Sequence, residues 1–230
     1  MPDAGSAQTV VMRNVNNFLY CFYVQNFVYL YKKKEQIMKY YFAVDTETTG
    51  LDADTHQIAE LGGILLDDKL NEIARGVMRL NIDWESASQQ ALNVNGIKKE
   101  TWKPTHKTNK EAVESLVRFI KKNVPSGIPV GLICHNADFD IKFMKKLFKE
   151  NDVDWIFDGR YTLDTLQAIQ IWSFVKEREP KYISLSYLIK MFDIKNNNEH
   201  RAMGDIQATV ELLKAIIKSL KCNTQKRIEL

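Results

Sequence analysis

Cysteine is scarce. Cys21, Cys134 and Cys222 stand far apart in a chain of 230 residues, and no Cys-x-x-Cys pair occurs. An odd, dispersed set excludes a disulfide framework and offers no zinc-ribbon spacing. A reducing, cytoplasmic setting is therefore expected. Charge of one sign is also sparse: the net charge is +3, with Lys and Arg mixed among acids. That argues against affinity built by covering long duplex, although a grip on a few nucleotides stays compatible with it. Internal repeats and low-complexity linkers are absent. What remains, 45% hydrophobic and 27% charged residues, is ordinary globular composition. The length suits one domain, or one domain plus a short extension, large enough to bury a core without disulfides.

A long uninterrupted apolar run is missing as well. Residues 1–37 come nearest, with a dense aromatic stretch from Phe18 to Tyr31 followed by Lys32, Lys33 and Lys34. A spanning helix needs about 20 apolar residues; this run is shorter, and Gln25 and Asn26 interrupt it. It also lacks the basic start and small-residue cleavage site of a secretory signal. Three readings of the segment stay open: an interfacial membrane contact, an extra element or leader on the domain, or translation beginning at Met38. The domain proper is expected over 38–222, with a short tail at 223–230.

Periodicity sketches the rest. Tyr40 to Glu47, apolar on both faces, reads as a buried central strand. Gln57–Leu66 and Leu70–Leu80 read as two more, joined by a turn at Asp67-Asp68-Lys69. Short helical pieces broken at Gly96 fill 86–102. Glu111–Lys122 carries an apolar stripe of Val113, Leu116, Val117 and Ile120, stopped by Pro125-Ser126-Gly127. A strand at Val130–Cys134, a helix at Ala137–Glu150, a strand at Tyr161–Leu163 and helices at Asp164–Trp172 and Ser184–Met191 follow. The last and clearest helix, Arg201–Leu220, buries Ala202, Ile206, Val210, Leu213, Ile217 and Leu220. A three-strand meander followed by alternating helices and strands predicts an α/β sandwich on a mixed sheet.

Three stretches concentrate chemistry. In Asp45-Thr46-Glu47 the two acids share one strand face, with Cα atoms about 6.6 Å apart at roughly 3.3 Å per residue. Such a pair is either a solvated strand end or needs a cation between its members or a proton on one; hard oxygen ligands select Mg²⁺ or Mn²⁺. In His135-Asn136-Ala137-Asp138-Phe139-Asp140 an apolar strand turns into a helix. Asp140 lies in its first turn, where the helix dipole favours an acid, and Asn136 suits an N-cap. In His200-Arg201-Ala202-Met203-Gly204-Asp205, His200 precedes the last helix and can titrate near neutral pH. Asp205, expected in the second turn, lies beside the buried stripe, where a charge is costly unless paired or bound to metal; a partly exposed position is the alternative.

Together these stretches resemble the three motifs of the DnaQ-like, or DEDD, exonucleases. The resemblance covers Lys39 to Leu220, with secondary matches at Val94-x-Gly96-Ile97, Asp164-Thr165-Leu166 and Ser184-Leu185. His200, five residues ahead of Asp205, with arginine at position 201 where the tyrosine subclass carries Tyr, resembles the histidine (DEDDh) subclass. The resemblance implies an RNase H-like three-layer sandwich with a mixed five-stranded sheet flanked by helices. It implies 3′→5′ hydrolysis of phosphodiester bonds using two ions, Mg²⁺ or Mn²⁺, held by Asp45, Glu47 and Asp205, with Asp140 partly through water and His200 as general base. The substrate implied is the 3′ end of a single strand, with DNA favoured by the Asp-Thr-Glu-Thr-Thr-Gly wording. Thr46, Thr48, Gly50, Asn136 and Phe139 would contact the terminal nucleotide. Proofreading subunits usually carry His at position 95 and an acid at position 90; Asn95 and Gln90 stand here, both able to hydrogen-bond a sugar or phosphate. The alternatives are an RNA-trimming exonuclease and a non-catalytic nucleic-acid-binding scaffold. The sequence contains no polymerase domain and no sliding-clamp peptide after Lys221; partnership with a DNA polymerase stays open.

Overall fold

A computed structural model of the chain describes residues 39–195 and 202–224, with side chains to residue 221. The aromatic segment 1–37, Met38, His200 and Arg201 lie outside the described residues. Among the described residues no helix is long and apolar enough to cross a membrane.

Five strands form one sheet: β1 (Tyr40–Thr48), β2 (Ile58–Leu66), β3 (Glu72–Arg79), β4 (Val130–Cys134) and β5 (Leu163–Asp164), in spatial order β3-β2-β1-β4-β5. β1 takes the centre, as a strand apolar on both faces must. It pairs antiparallel with β2 and parallel with β4, so the sheet is mixed. The β2–β3 turn runs further than Asp67-Asp68-Lys69. The Asp67 carboxylate accepts from the backbone N–H groups of Lys69 and Asn71, each at 2.8 Å, and Leu70 takes a left-handed φ of 63°. β3 therefore starts at Glu72. The last strand falls at Leu163–Asp164, later than expected, because Gly159–Tyr161 coils into a 3₁₀ turn capped by the Asp158 side chain.

Among the described residues six helices accompany the strands: α1 (Gln89–Val94), α2 (Asn109–Asn123), α3 (Ala137–Glu150), α4 (Thr165–Lys176), α5 (Leu185–Met191) and α6 (Ala202–Thr224). α2 begins two residues before its apolar stripe suggests, because Thr108 and Glu111 form a reciprocal capping box. One sheet face, carrying Phe42, Val44 and Leu61, packs against Val113 and Leu116 of α2 and Phe143 and Leu147 of α3. The other, carrying Ala43, Ile64 and Ile133, packs against Ile206, Val210 and Leu213 of α6. α6 has a second buried side: Leu212 and Ile216 meet Ile169 and Trp172 of α4 and Leu188 of α5. A single-stripe reading of α6 misses it, since the helix lies between a sheet and two other helices. The result is a three-layer sandwich.

Gly63 in β2 is a steric necessity. A Cβ there would stand 1.9 Å from the Phe42 ring, which is stacked on Phe157 (centroids 5.6 Å apart) and edge-on to Phe119 (6.4 Å) and cannot retreat. Gly63→Ala is expected to cost about 1–3 kcal/mol, the order of an overpacked core, read by urea denaturation. Adding Phe42→Leu should recover part of that loss; simple additivity of the two losses would refute the steric coupling.

Candidate active site

The site begins where β1 ends. Asp45 and Glu47 continue the face of Tyr41 and Ala43 and point toward α6, whereas Thr46 points toward α3. The strand closes with a register shift between Glu47 and Thr48, and the following turn is held from several sides. Thr48 Oγ1 donates to the Gly50 carbonyl (2.6 Å), Thr49 N–H to the Gln57 carbonyl (2.8 Å) and Ser88 N–H to the Thr49 carbonyl (2.8 Å). Asn95 Nδ2 donates to the Thr48 carbonyl (3.0 Å). At Gly50 any side chain would strike the His56 ring, 2.1 Å from an added Cβ.

The second stretch arrives from β4. Asn136 adopts φ 72°, a left-handed conformation that Asn tolerates, and its exposed side chain makes no cap bond. The expected Asn136 cap is replaced by Asp164 of β5. The Asp164 carboxylate accepts from the N–H groups of Asn136 (3.1 Å) and Ala137 (3.0 Å), and from Leu166 N–H at the start of α4 (2.8 Å). His135 is anchored in turn, its Nδ1 2.7 Å from Thr165 Oγ1. α3, thus started, buries Asp140 against β1, where Thr46 donates twice to Asp140 Oδ1, from its backbone N–H (3.0 Å) and its hydroxyl (2.8 Å).

The third stretch depends on Gly62. An added Cβ there would lie 2.7 Å from Ile206 Cδ1 and 3.2 Å from the Ala202 Cβ, so the missing side chain lets α6 settle close to β2. Gly62 pairs with Asp45 in register, which brings the first turn of α6, and the partly buried Asp205 in it, to the acidic strand end. Asp205 lies in the first turn of the helix as described from Ala202. His200 lies outside the described residues.

Electrostatics tie these pieces together. Burial pushes the Asp45 carboxyl well above the usual range, and Asp140, Glu47, Asp205 and Glu60 push it further, in that order. Asp140 is raised to about 7 by burial, against the lowering effect of the two Thr46 hydrogen bonds. Carboxylates from three distant stretches thus lie near enough to oppose the ionisation of Asp45. Among the described residues no group of three His, Cys, Asp or Glu side chains is placed to hold a metal ion. The donor chemistry nonetheless fits a hard divalent cation: carboxylate oxygens from several elements, crowded so that added positive charge relieves them.

Asp45, Glu47, Asp140 and Asp205 are therefore brought together. Thr46, Thr48, Gly50 and Asn95 brace the same corner, the last through its bond to the Thr48 carbonyl. Asn136 and Gln90 are exposed, and Phe139 is half-buried with its ring 4.9 Å from that of Phe143. Sequence reasoning missed the capping by Asp164 and also missed Glu60 with Arg79. A charged residue inside the apolar run of β2 was the available signal for Glu60.

The RNase T family model, described as an exonuclease, matches residues 42–213. A 3′-5′ exonuclease DinG of Staphylococcus haemolyticus is 28% identical over 174 residues, 75% of this chain and 17% of the relative. A PolC-type DNA polymerase III of Clostridium perfringens is 26% identical over 193 residues, 79% of this chain and 11% of the relative. The chain thus spans less than a fifth of these relatives' length. In fold it is similar to E. coli exonuclease I solved with a dT13 oligonucleotide, with a TM-score of 0.67, 17% identity, and coverage of 82% of this chain and 43% of that one. A mixed five-stranded sheet of RNase H-like form, acids gathered at its central strand and a family match across the folded domain agree: the chain belongs to the RNase T exonuclease family, in its DnaQ-like, DEDDh branch.

Proposed function

We propose that this domain is a 3′→5′ exonuclease that removes nucleotides singly from the 3′ end of single-stranded DNA and releases nucleoside 5′-monophosphates. The observation that carries the reading is a convergence: Asp45 and Glu47 share one face of β1, Asp140 is hydrogen-bonded to Thr46 between them, and the first turn of α6, with Asp205, packs on Gly62 opposite Asp45. Asp45, Glu47 and Asp205 would hold two divalent cations, Mg²⁺ or Mn²⁺, with Asp140 completing the set. Bound cations supply what phosphodiester hydrolysis requires, an activated water and neutral surroundings for the departing 3′ oxygen. Asp140, fixed by Thr46, keeps its carboxylate aimed at the cluster. His200, five residues ahead of Asp205, takes the proton from the attacking water, a task suited to a group titrating near neutrality. Thr48, Gly50 and Phe139 flank the place for the terminal nucleotide. DNA is favoured by the Asp-Thr-Glu-Thr-Thr-Gly wording and by the likeness to a PolC-type polymerase, which also supports work beside a DNA polymerase.

Three outcomes are expected. With Mg²⁺ present, single-stranded DNA labelled at either end should lose mononucleotides from its 3′ end alone, and an RNA strand of equal length should be degraded more slowly. Degradation of RNA alone would move the substrate to RNA, and no release from either would leave the scaffold reading. Asp45→Ala and Asp205→Ala should each fall to background, and His200→Ala should lower kcat by roughly 10²–10⁴-fold; wild-type rates in the two acid variants would mean the site is misplaced.

The third outcome concerns stability. Folded Asp140 holds a proton up to about pH 7, whereas an unfolded carboxylate releases it near pH 4. Between those values the folded state binds more protons, so stability of the cation-free protein declines as pH rises through that window. Calorimetry should show a lower Tm at pH 8 than at pH 5 without cation, a larger rise on adding Mg²⁺ at pH 8, and a flatter pH profile for Asp140→Asn. An unchanged profile in Asp140→Asn would refute the assignment of the pH effect to this carboxyl.

A further inference from the structure

A row of charges crosses the sheet beside the acidic corner. Glu47 of β1 pairs in register with Glu60 of β2, and Glu60 pairs with Arg79 of β3. Like charges directly opposite on neighbouring strands are unfavourable, and Glu60 answers by turning outward along the row. Its Oε2 accepts from Arg79 Nε at 2.9 Å. The guanidinium is held from a second side by Trp102, its Cζ 5.4 Å from the ring centroid, and the Trp102 indole N–H is fixed to the Leu80 carbonyl at 3.0 Å. Arg79 is thus clamped through Nε, while its Nη groups have no protein partner among the described residues. Its side chain is 42% exposed.

Arg79 also lines a cleft of about 290 Å³ whose wall includes Glu47, Asn95, Val94 and the Ala202 start of α6. Among the described residues of that lining, Arg79 is the one cation. Any strand entering the cleft brings phosphates toward a wall otherwise acidic or neutral. A rigidly held guanidinium with a free Nη edge is well matched to a phosphodiester oxygen, since a charge-assisted bond forms there with little ordering cost. At two strand spacings, its Cα stands about 10 Å from that of Glu47. That places it beside the acids and outside their cluster.

We propose that Arg79 is a phosphate-binding residue that grips the nucleic-acid backbone at a phosphate other than the one being cleaved, pre-oriented by Glu60 and Trp102. The proposal rests on the exonuclease reading for its ligand class, single-stranded nucleic acid. Its contribution is affinity and register, and the bond-breaking step belongs to the neighbouring acids.

The test compares the full chain with Arg79→Gln, Arg79→Lys and the double variant Glu60→Gln, Arg79→Gln, which leaves no uncompensated acid if the single variant folds poorly. Binding of a fluorescent single-stranded oligonucleotide is followed by anisotropy with Ca²⁺ across a range of salt. Hydrolysis with Mg²⁺ is followed on the same oligonucleotide and on the p-nitrophenyl ester of thymidine 5′-monophosphate, which has no second phosphate. Arg79→Gln should weaken oligonucleotide binding and raise KM roughly tenfold, the order of one charge-assisted contact. It should also lower the salt slope by about 0.7, with kcat and ester hydrolysis unchanged. The double variant should behave alike, and Arg79→Lys should fall between. Unchanged affinity, slope and KM in an active protein would overturn the proposal while leaving the exonuclease reading intact. Equal loss on the ester and the oligonucleotide would also overturn it, by assigning Arg79 a structural part. If wild type binds but cleaves nothing, and Arg79→Gln lowers the slope, Arg79 stands and the exonuclease reading falls. A wild type that neither binds nor cleaves removes both.

Discussion

Asp45 is held where burial and four neighbouring acids oppose its charge, and the rest of the molecule is arranged around tolerating that. In water two carboxylates repel weakly; in a partly desolvated corner the same pair is forced to share protons or to recruit a cation. No single element could keep such a group in place, because the nearest relief is for the acids to swing apart. β1 resists through its register with β2, which holds Asp45 opposite Gly62 and Glu47 opposite Glu60. α3 resists because Thr46 bonds twice to one oxygen of Asp140. α6 resists because Gly62 lets it sit too close to the sheet for its first turn to drift.

The supporting contacts have a common logic. Each acid is positioned by a neighbour that is itself immobile. Thr46 is a strand residue and Asp164 joins the starts of two helices. Asn95 ties the turn after β1 to the end of α1. Geometry held in this way is pre-organised, and its cost is met during folding, before any ligand arrives. The cost appears as raised carboxyl pKa values, so stability and site chemistry pull in opposite directions at the same residues.

Most of this was legible in the sequence wherever a local rule governed it. The alternation Asp45-Thr46-Glu47 needs only a strand, and the apolar character of β1 gave that strand its central place. The buried stripe of α6 and the dipole position of Asp140 are likewise local. What stayed hidden was set by pairing across distance. Asp164 was visible as a motif residue, but its bonds to Asn136 and Ala137 arise because β5 lies beside β4, and so the side-chain cap expected of Asn136 was wrong. The register Glu47–Glu60–Arg79 depends on a hairpin whose turn was misjudged by two residues. Gly62 and Gly63 were silent because an absent side chain carries no pattern; their meaning lies in the α6 helix and the Phe42 ring that approach them.

The charge balance of the corner bears on how it would be filled under the proposed function. Glu60 is offset by Arg79, and Asp45, Glu47, Asp140 and Asp205 are the acids that the proposed cations would meet. Fully ionised, these four carry four negative charges. Each divalent cation held there would offset two of those charges. Under that proposal Arg79, at the side of the cleft, would then meet an incoming strand against a weaker opposing field. Asp140, protonated up to about pH 7 in the cation-free protein, must lose its proton to join that balance. Under the proposed function, cation loading is thus coupled to proton release.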